Sequence, residues 1–352
     1  MGPEHTDWHH PGHRGVGLAS LLVGFMIGVS ACDASPEQAD VDPSWSLLRM
    51  QPAIGEARVE VAPGENIQAA IDSLTASGGS VILAPGEWSP QASLRLPSHT
   101  ALVAEGGSTL RFPPHTIGIM NADTGGGNAD ILIRGVHLIG AGWTDARDTA
   151  NGIAMFGVER ARIEDVIVEQ FDGYNIVLFP GTERSIVVTS QSHQAAKEGI
   201  EVYGGRECVV FGNLVRGAGH NGILVWYGSR DTLVASNLVI DSASTGIYVQ
   251  GSANEATQVV ETRDTIIRNN LVLDSGFNGI RIGSSPIVRR VAITGNRILG
   301  SGQVGIVNAT ADSSSVTIAG NVVERGAQGW IDAPDVPPPE ANTLLRVPPE
   351  DR

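Results

Sequence analysis

Lys197 is the only lysine in a chain whose other basic residues are arginines, and it stands 23 residues before His220. Lys197 lies two positions before Gly199 and His220 two positions before Gly222, so the two occupy matching places in consecutive segments. A primary amine and an imidazole are side chains able to take up or polarise a proton near neutral pH. Glu198, Glu201 and Tyr203 follow closely, Asp172 and Tyr174 come one segment earlier, and His193 lies in the corner between. Singly, such a lysine reads as a solvated charge and such a histidine as a turn residue. Their shared register is what singles them out for acid–base chemistry.

That register belongs to a repeat. Short apolar phrases such as NGIAM (151–155), EGIEVY (198–203), NGILVW (221–226), TGIYVQ (245–250) and NGIRIG (278–283) recur through the chain. With Gly152, Asn175, Gly199, Gly222, Gly246, Gly279, Gly305 and Gly329 as anchors, the spacings are 23, 24, 23, 24, 33, 26 and 24. A second phrase runs in step and carries Asn213, Asn237, Asn270, Asn296 and Asn321. Units of about 24 residues with short β-rich runs and no helical period indicate a parallel β-helix, a solenoid in which each coil buries its apolar face against its neighbours. The asparagines would then stack roughly 4.8 Å apart in one turn, each amide donating to one coil and accepting from the other. Upstream, residues 64–74 place Ile67, Ala70, Ile71 and Leu74 on one helical face, which predicts an N-terminal capping helix over the first coil.

Strand alternation directs every second residue outward. One outward row runs Ala154, Val177, Glu201, Leu224, Tyr248, Arg281, Val307, and the other Phe156, Phe179, Tyr203, Trp226, Gln250, Gly283, Ala309. Aromatic residues are 5% of the chain, yet five of them fall in these two rows. Adjacent outward rings make a platform for the apolar faces of sugars, with Phe179, Trp226 and Tyr248 as stacking surfaces and Glu201 and Gln250 as polar contacts. A segment folded over this face would bury the same rings instead. The long spacing before Gly279 leaves extra residues at Ser252–Glu261, a wall beside the platform.

Residues 1–31 read as a signal peptide: Arg14 precedes an apolar run, Gly15–Ala31, which is short for a membrane span. Residues 32–58 are acidic and read as a tether, 59–332 as the β-helix domain, and 333–352, with six of the 19 prolines, as a disordered tail. The chain carries 38 acids against 23 lysines and arginines, a formal charge of −15, which argues against nucleic acid as a partner. A polyanionic glycan would need local arginines or a bridging cation.

The run ENIQAAID…GGSVILAPGEW, together with the Gly-Ile and Gly-Asn phrases, resembles pectate-lyase-like right-handed parallel β-helix proteins over residues 59 to about 332. The run Val29-Ser30-Ala31-Cys32 resembles the lipobox of bacterial lipoproteins, which implies cleavage before Cys32, lipid attachment to it and a membrane-anchored envelope location. Cys208 would then be a lone core thiol. Gly219-His220-Asn221-Gly222 and Arg281-Ile282-Gly283 partly match phrases of polygalacturonases, but Lys197-Glu198 stands where their paired aspartates fall, so no hydrolase role carries over. Polysaccharide lyases on this fold neutralise a uronate carboxylate with Arg or Ca²⁺ and remove the proton at C5. On that resemblance Lys197 is the base, His220 polarises, Arg281 holds the carboxylate, and Tyr203 or Tyr248 protonates the leaving oxygen. The expectation is therefore β-elimination or C5-epimerisation of an acidic polysaccharide, with no cofactor demanded by the sequence and Ca²⁺ admissible. A glycoside hydrolase and a non-catalytic envelope protein binding glycan or a partner remain as alternatives. A copper-accessory role is disfavoured, because no Cys/His/Met cluster remains once the leader is removed.

Overall fold

A computed structural model describes residues 43–142, 150–254, 258–283, 287–310, 313–333 and 342–345. The chain winds into a parallel β-solenoid with sheets of 11, 10 and 11 strands, and each coil adds one strand to each sheet. The expected leader, Cys32 and the first part of the expected tether lie outside the described residues.

Register is held from coil to coil. On the ten-stranded sheet Ile153, Ile176, Ile200, Ile223, Ile247, Ile280 and Ile306 pair in line, all fully buried. A single strand this short buries little, so the stack of like side chains through the core is what stabilises each coil. The recurring glycine has a packing cause. A Cβ on Gly222 would sit 2.3 Å from Cγ1 of Val239 and 2.6 Å from the carbonyl oxygen of Gly246. Asn175 takes the glycine place in one coil because a small residue, Ser192, replaces the valine there; its amide donates to Ser192 Oγ at 3.0 Å.

The asparagine ladder is present. Asn213, Asn237, Asn270 and Asn296 each donate Nδ2 to the Oδ1 of the next asparagine at 2.9–3.0 Å and to a backbone carbonyl of the preceding coil. The ladder does not stop at Asn321, which donates to Asn342 at 3.0 Å. Strand Thr343–Leu345 then pairs in parallel with Val322–Glu324. The expectation of a wholly disordered tail is thus corrected for these residues: 342–345, within the proline-free stretch between two proline clusters, continue the solenoid.

A second correction concerns the tether. Helix Pro43–Leu48 and the segment behind it lie on the outer face of the eleven-stranded sheet that begins with Arg58–Val61. Leu47, Leu48 and Met50 pack on Ile186, Val188, Val209, Leu233 and Ala235, and Ile54 packs on Ile82, Ala101, Val103 and Leu132. Arg162 donates to the carbonyls of Leu48 and Met50 at 3.0 and 3.2 Å, and Asp130 accepts from the Ala53 amide at 3.0 Å. An outward apolar row on that sheet demands a cover, and this strap supplies it. Helix Ile67–Ser73 is also present, N-capped by Asn66, with Ile67 and Ile71 buried in the main core.

Candidate functional site

The corner before the ten-stranded sheet carries one residue per coil at the position of interest. The amide of Lys197 bonds the carbonyl of Gly173, His220 that of Lys197, Ser244 that of His220 and Phe277 that of Ser244, at 2.9–3.2 Å. Lys197 and His220 are therefore neighbours one strand apart, as their sequence register required.

Next to them lies a buried carboxylate. Glu198 occupies the place that Asn221 and Asn278 hold in other coils, and it is almost wholly buried. Its Oε1 bonds Nδ1 of His220 at 2.5 Å and accepts from the Asn221 amide at 2.9 Å. With Nδ1 engaged, Nε2 of His220 is left as the accepting nitrogen of the neutral ring, on a side chain that is 60% exposed. The bond to Glu198 raises the His220 pKa above its ordinary value; burial and Lys197 oppose that rise. The ammonium of Lys197 rests 5.4 Å from the centre of the Tyr174 ring.

An aromatic stripe runs across the coils at the far ends of these strands, joined to the corner through Tyr174, whose ring meets Phe179 edge-on at 6.5 Å. Phe156 and Phe179 stack at 4.3 Å with 8° between planes, Phe179 and Tyr203 meet at 5.7 Å, and Tyr203 and Trp226 stack at 4.9 Å and 21°. Tyr227 closes edge-on against both Tyr203 and Trp226. Each of these rings is half-buried. The stack continues the sheet's own spacing, so the platform is a consequence of register.

Glu201 departs from its expected role. Its outward row places it between Val177 and Leu224 beneath the rings, where it is fully buried, so it cannot serve as an open polar handle. It accepts a hydrogen bond from Nε1 of Trp226. Burial, followed by the charge of Glu198, pushes its carboxyl up to about 8; Trp226, Lys197 and the Tyr174 hydroxyl pull the other way. Tyr174 is raised too, chiefly by burial and then by Glu201 and Glu198.

The remaining expected residues form a second group. Arg281 lies 5.7 Å from the centre of the Tyr248 ring, and Gln250 lies against Gly283. Strand pairing runs Glu201, Leu224, Tyr248, Arg281, so Arg281 stands three strand spacings from Glu201, about 14 Å. The structure thus does not bring Arg281 together with Lys197, which lies in the coil of Glu201. The extra residues fold as an antiparallel hairpin, Ser252–Asn254 with Gln258–Val260, and a Cβ on Gly228 would meet Val260 at 2.4 Å. The hairpin therefore stands over the corner that follows Trp226 and Tyr227.

Two residues of this face were not readable from strand alternation, because both lie in corners. Tyr227 buttresses the stripe, and Phe277, 48% exposed, continues the row of Lys197, His220 and Ser244. The unbroken row of corner hydrogen bonds is the signal that locates Phe277. Among the described residues, no three His, Cys, Asp or Glu side chains gather so as to hold a metal ion. Cys208 is buried, with its thiol pushed up to about 12 by burial.

Solved structures with the same fold include an exopolygalacturonase from Thermotoga maritima, with a TM-score of 0.62 at 14% identity, covering 80% of this chain and 83% of that one. The A-module of the mannuronan C-5 epimerase AlgE6 from Azotobacter vinelandii matches with a TM-score of 0.57 at 18% identity, covering 81% and 95%. The Dettilon tailspike protein matches with a TM-score of 0.58 at 16% identity over 80% of this chain, which spans only 55% of the tailspike. These likenesses establish the pectate-lyase-like β-helix fold. No curated protein matches the chain. A family profile described as periplasmic copper-binding protein (NosD) matches residues 128–324, more than half of the 352 residues, and the chain belongs to that family.

Proposed function

We propose that this chain is an extracytoplasmic glycan-binding solenoid that moves a proton on an acidic polysaccharide lying along the aromatic stripe. The observation that carries this reading is the exposed imidazole of His220, oriented by the buried carboxylate Glu198 and next to Lys197, whose ammonium lies over the Tyr174 ring that joins this corner to the aromatic stripe. His220 Nε2 takes the proton at C5 of a uronate. The electron pair left at C5 is delocalised into the uronate carboxylate, whose charge Lys197 offsets. Collapse to a C4–C5 double bond expels the C4 oxygen, which takes a proton from the Tyr203 hydroxyl; reprotonation at C5 from the opposite face gives the epimer instead. This exchanges the expected roles of Lys197 and His220, because the imidazole has both an orienting carboxylate and a free nitrogen. Arg281 with Tyr248 and Gln250 holds a neighbouring sugar, and a Ca²⁺ ion would enter as a partner of the uronate carboxylates. Two fold neighbours are named for uronate polymers, mannuronan and polygalacturonate, which supports the substrate class. The lipobox-like run ending at Cys32 and the family's periplasmic description support an envelope location with a lipid anchor. We assign the winding a right-handed sense, and helix Ile67–Ser73 the closure of its first coil.

The family description supports a second reading, copper handling. The described side chains do not fit a resident copper: His220 and Glu198 offer two donors, Cys208 is a buried thiol, and Met155 is enclosed in the core. No step is assigned to the metal. One experiment separates the readings. The protein is incubated with a panel of uronate polymers while ultraviolet absorbance follows unsaturated product and proton NMR follows the C5 epimer. Turnover that survives copper chelation, is abolished in His220→Ala, and shows a raised KM in Trp226→Ala is expected. Stoichiometric copper uptake with neither turnover nor binding of any polymer would favour the second reading.

A further inference from the structure

Ala154, Val177 and Leu224 share a row with Glu201, and all are buried, so an apolar side chain would satisfy packing at residue 201. An acid has been placed there instead. One of its oxygens accepts from Nε1 of Trp226, and Oε2 makes no aligned hydrogen bond, although the Tyr174 hydroxyl acts on the same carboxyl. A carboxylate offers about four lone-pair sites, and leaving a buried charge this poorly served is expensive. A neutral carboxyl needs far less and still accepts from the indole.

We infer that Glu201 is a positioning residue: it holds the indole of Trp226, and with it the Tyr203 stack, in the plane presented to ligand, and its ionisation tightens that hold. The assignment rests on the proposed groove only for its purpose, since the ring geometry stands without a ligand. The groups facing Glu201 agree with it. Glu198, bonded to His220 and Asn221, opposes a second charge beside it. Lys197, Trp226 and Tyr174 favour the charged form, but burial outweighs them and holds the carboxyl near 8. Tyr203 and Tyr227 close the pocket and bring no cation. The indole is therefore held by a neutral acceptor at neutral and mildly acidic pH and by a charged, stronger one in mild alkali.

The test follows the indole Nε1–H resonance of Trp226 in the full chain, labelled at tryptophan and assigned with Trp226→Phe, from weakly acidic to alkaline pH. The resonance should shift with a midpoint of about 8 in the parent protein. It should stay put in Glu201→Gln, which keeps an acceptor for the indole and cannot ionise. His220→Gln should leave the midpoint in place, separating this event from titration of the histidine. A flat resonance in the parent, or the same midpoint in Glu201→Gln, overturns the assignment. Should Glu201→Gln not fold, the parent and His220→Gln curves decide alone. No glycan enters this test, so the role of Glu201 stands or falls independently of whether a polysaccharide substrate is found.

Discussion

His220 and Lys197 show what single residues can and cannot reveal. Their adjacency was legible, because equal offsets from Gly199 and Gly222 put them on neighbouring coils, and the amide of His220 does bond the carbonyl of Lys197. The function of Glu198 was not legible, because an acid beside a lysine looks like a solvated pair until the turn buries it. Glu201 misled for a related reason. Strand alternation sends it outward, but Tyr174, Tyr203 and Trp226 lean across from three coils and cover it. Its burial has a signature in stability. A carboxyl raised from 4.5 to about 8 keeps its proton in the fold after the unfolded chain has lost it, so stability falls as pH rises through that window and levels off above it. Glu201→Gln removes the penalty. Thermal melts should show the variant gaining on the parent by at most about 1.4 kcal/mol for each pH unit across the window. Below the window the two should differ by a constant. A difference independent of pH throughout would show that Glu201 is ionised in the fold.

At the scale of elements, the strands and the ladder were written in the repeat, because a solenoid makes every coil meet the same constraint. Gly222 is required by the approach of Val239, and the asparagines by the carbonyls of the preceding coil. The strap 43–57 and the strand Thr343–Leu345 were not legible because each is used once and has no period. Their cue is chemical: the Leu-Leu-Arg-Met run matches an outward apolar row, and Asn342 supplies one more rung. The ladder's true end sets a prediction. Asn237→Leu and Asn321→Leu should both be costly, since each strips partners from two coils, about 1–3 kcal/mol for every buried group left unpaired. Asn342→Leu, at the end, should cost less than either in denaturant melts. Equal small losses at all three positions would mean the amides are served by water.

Across the whole molecule, the fold confines function to what the coils display. The chain carries a formal charge of −15, so an acidic glycan can approach only where bases are concentrated, and the corner row offers Lys197 and His220 with Arg281 further along the axis. An extended polysaccharide advances by nearly one strand spacing per sugar, which matches a stripe built at that spacing. Family membership alone points to copper, whereas the function proposed above concerns a sugar and a proton. The decisive measurement is isotopic. In D₂O, a uronate polymer bound along Trp226 should lose its C5 hydrogen, appearing either as deuterium at C5 or as the unsaturated product. His220→Ala should lower that rate by about 10²–10⁴-fold while leaving binding largely intact. Binding that depends on Trp226 with no exchange at C5 in the parent protein, across every uronate polymer that binds, would contradict the account.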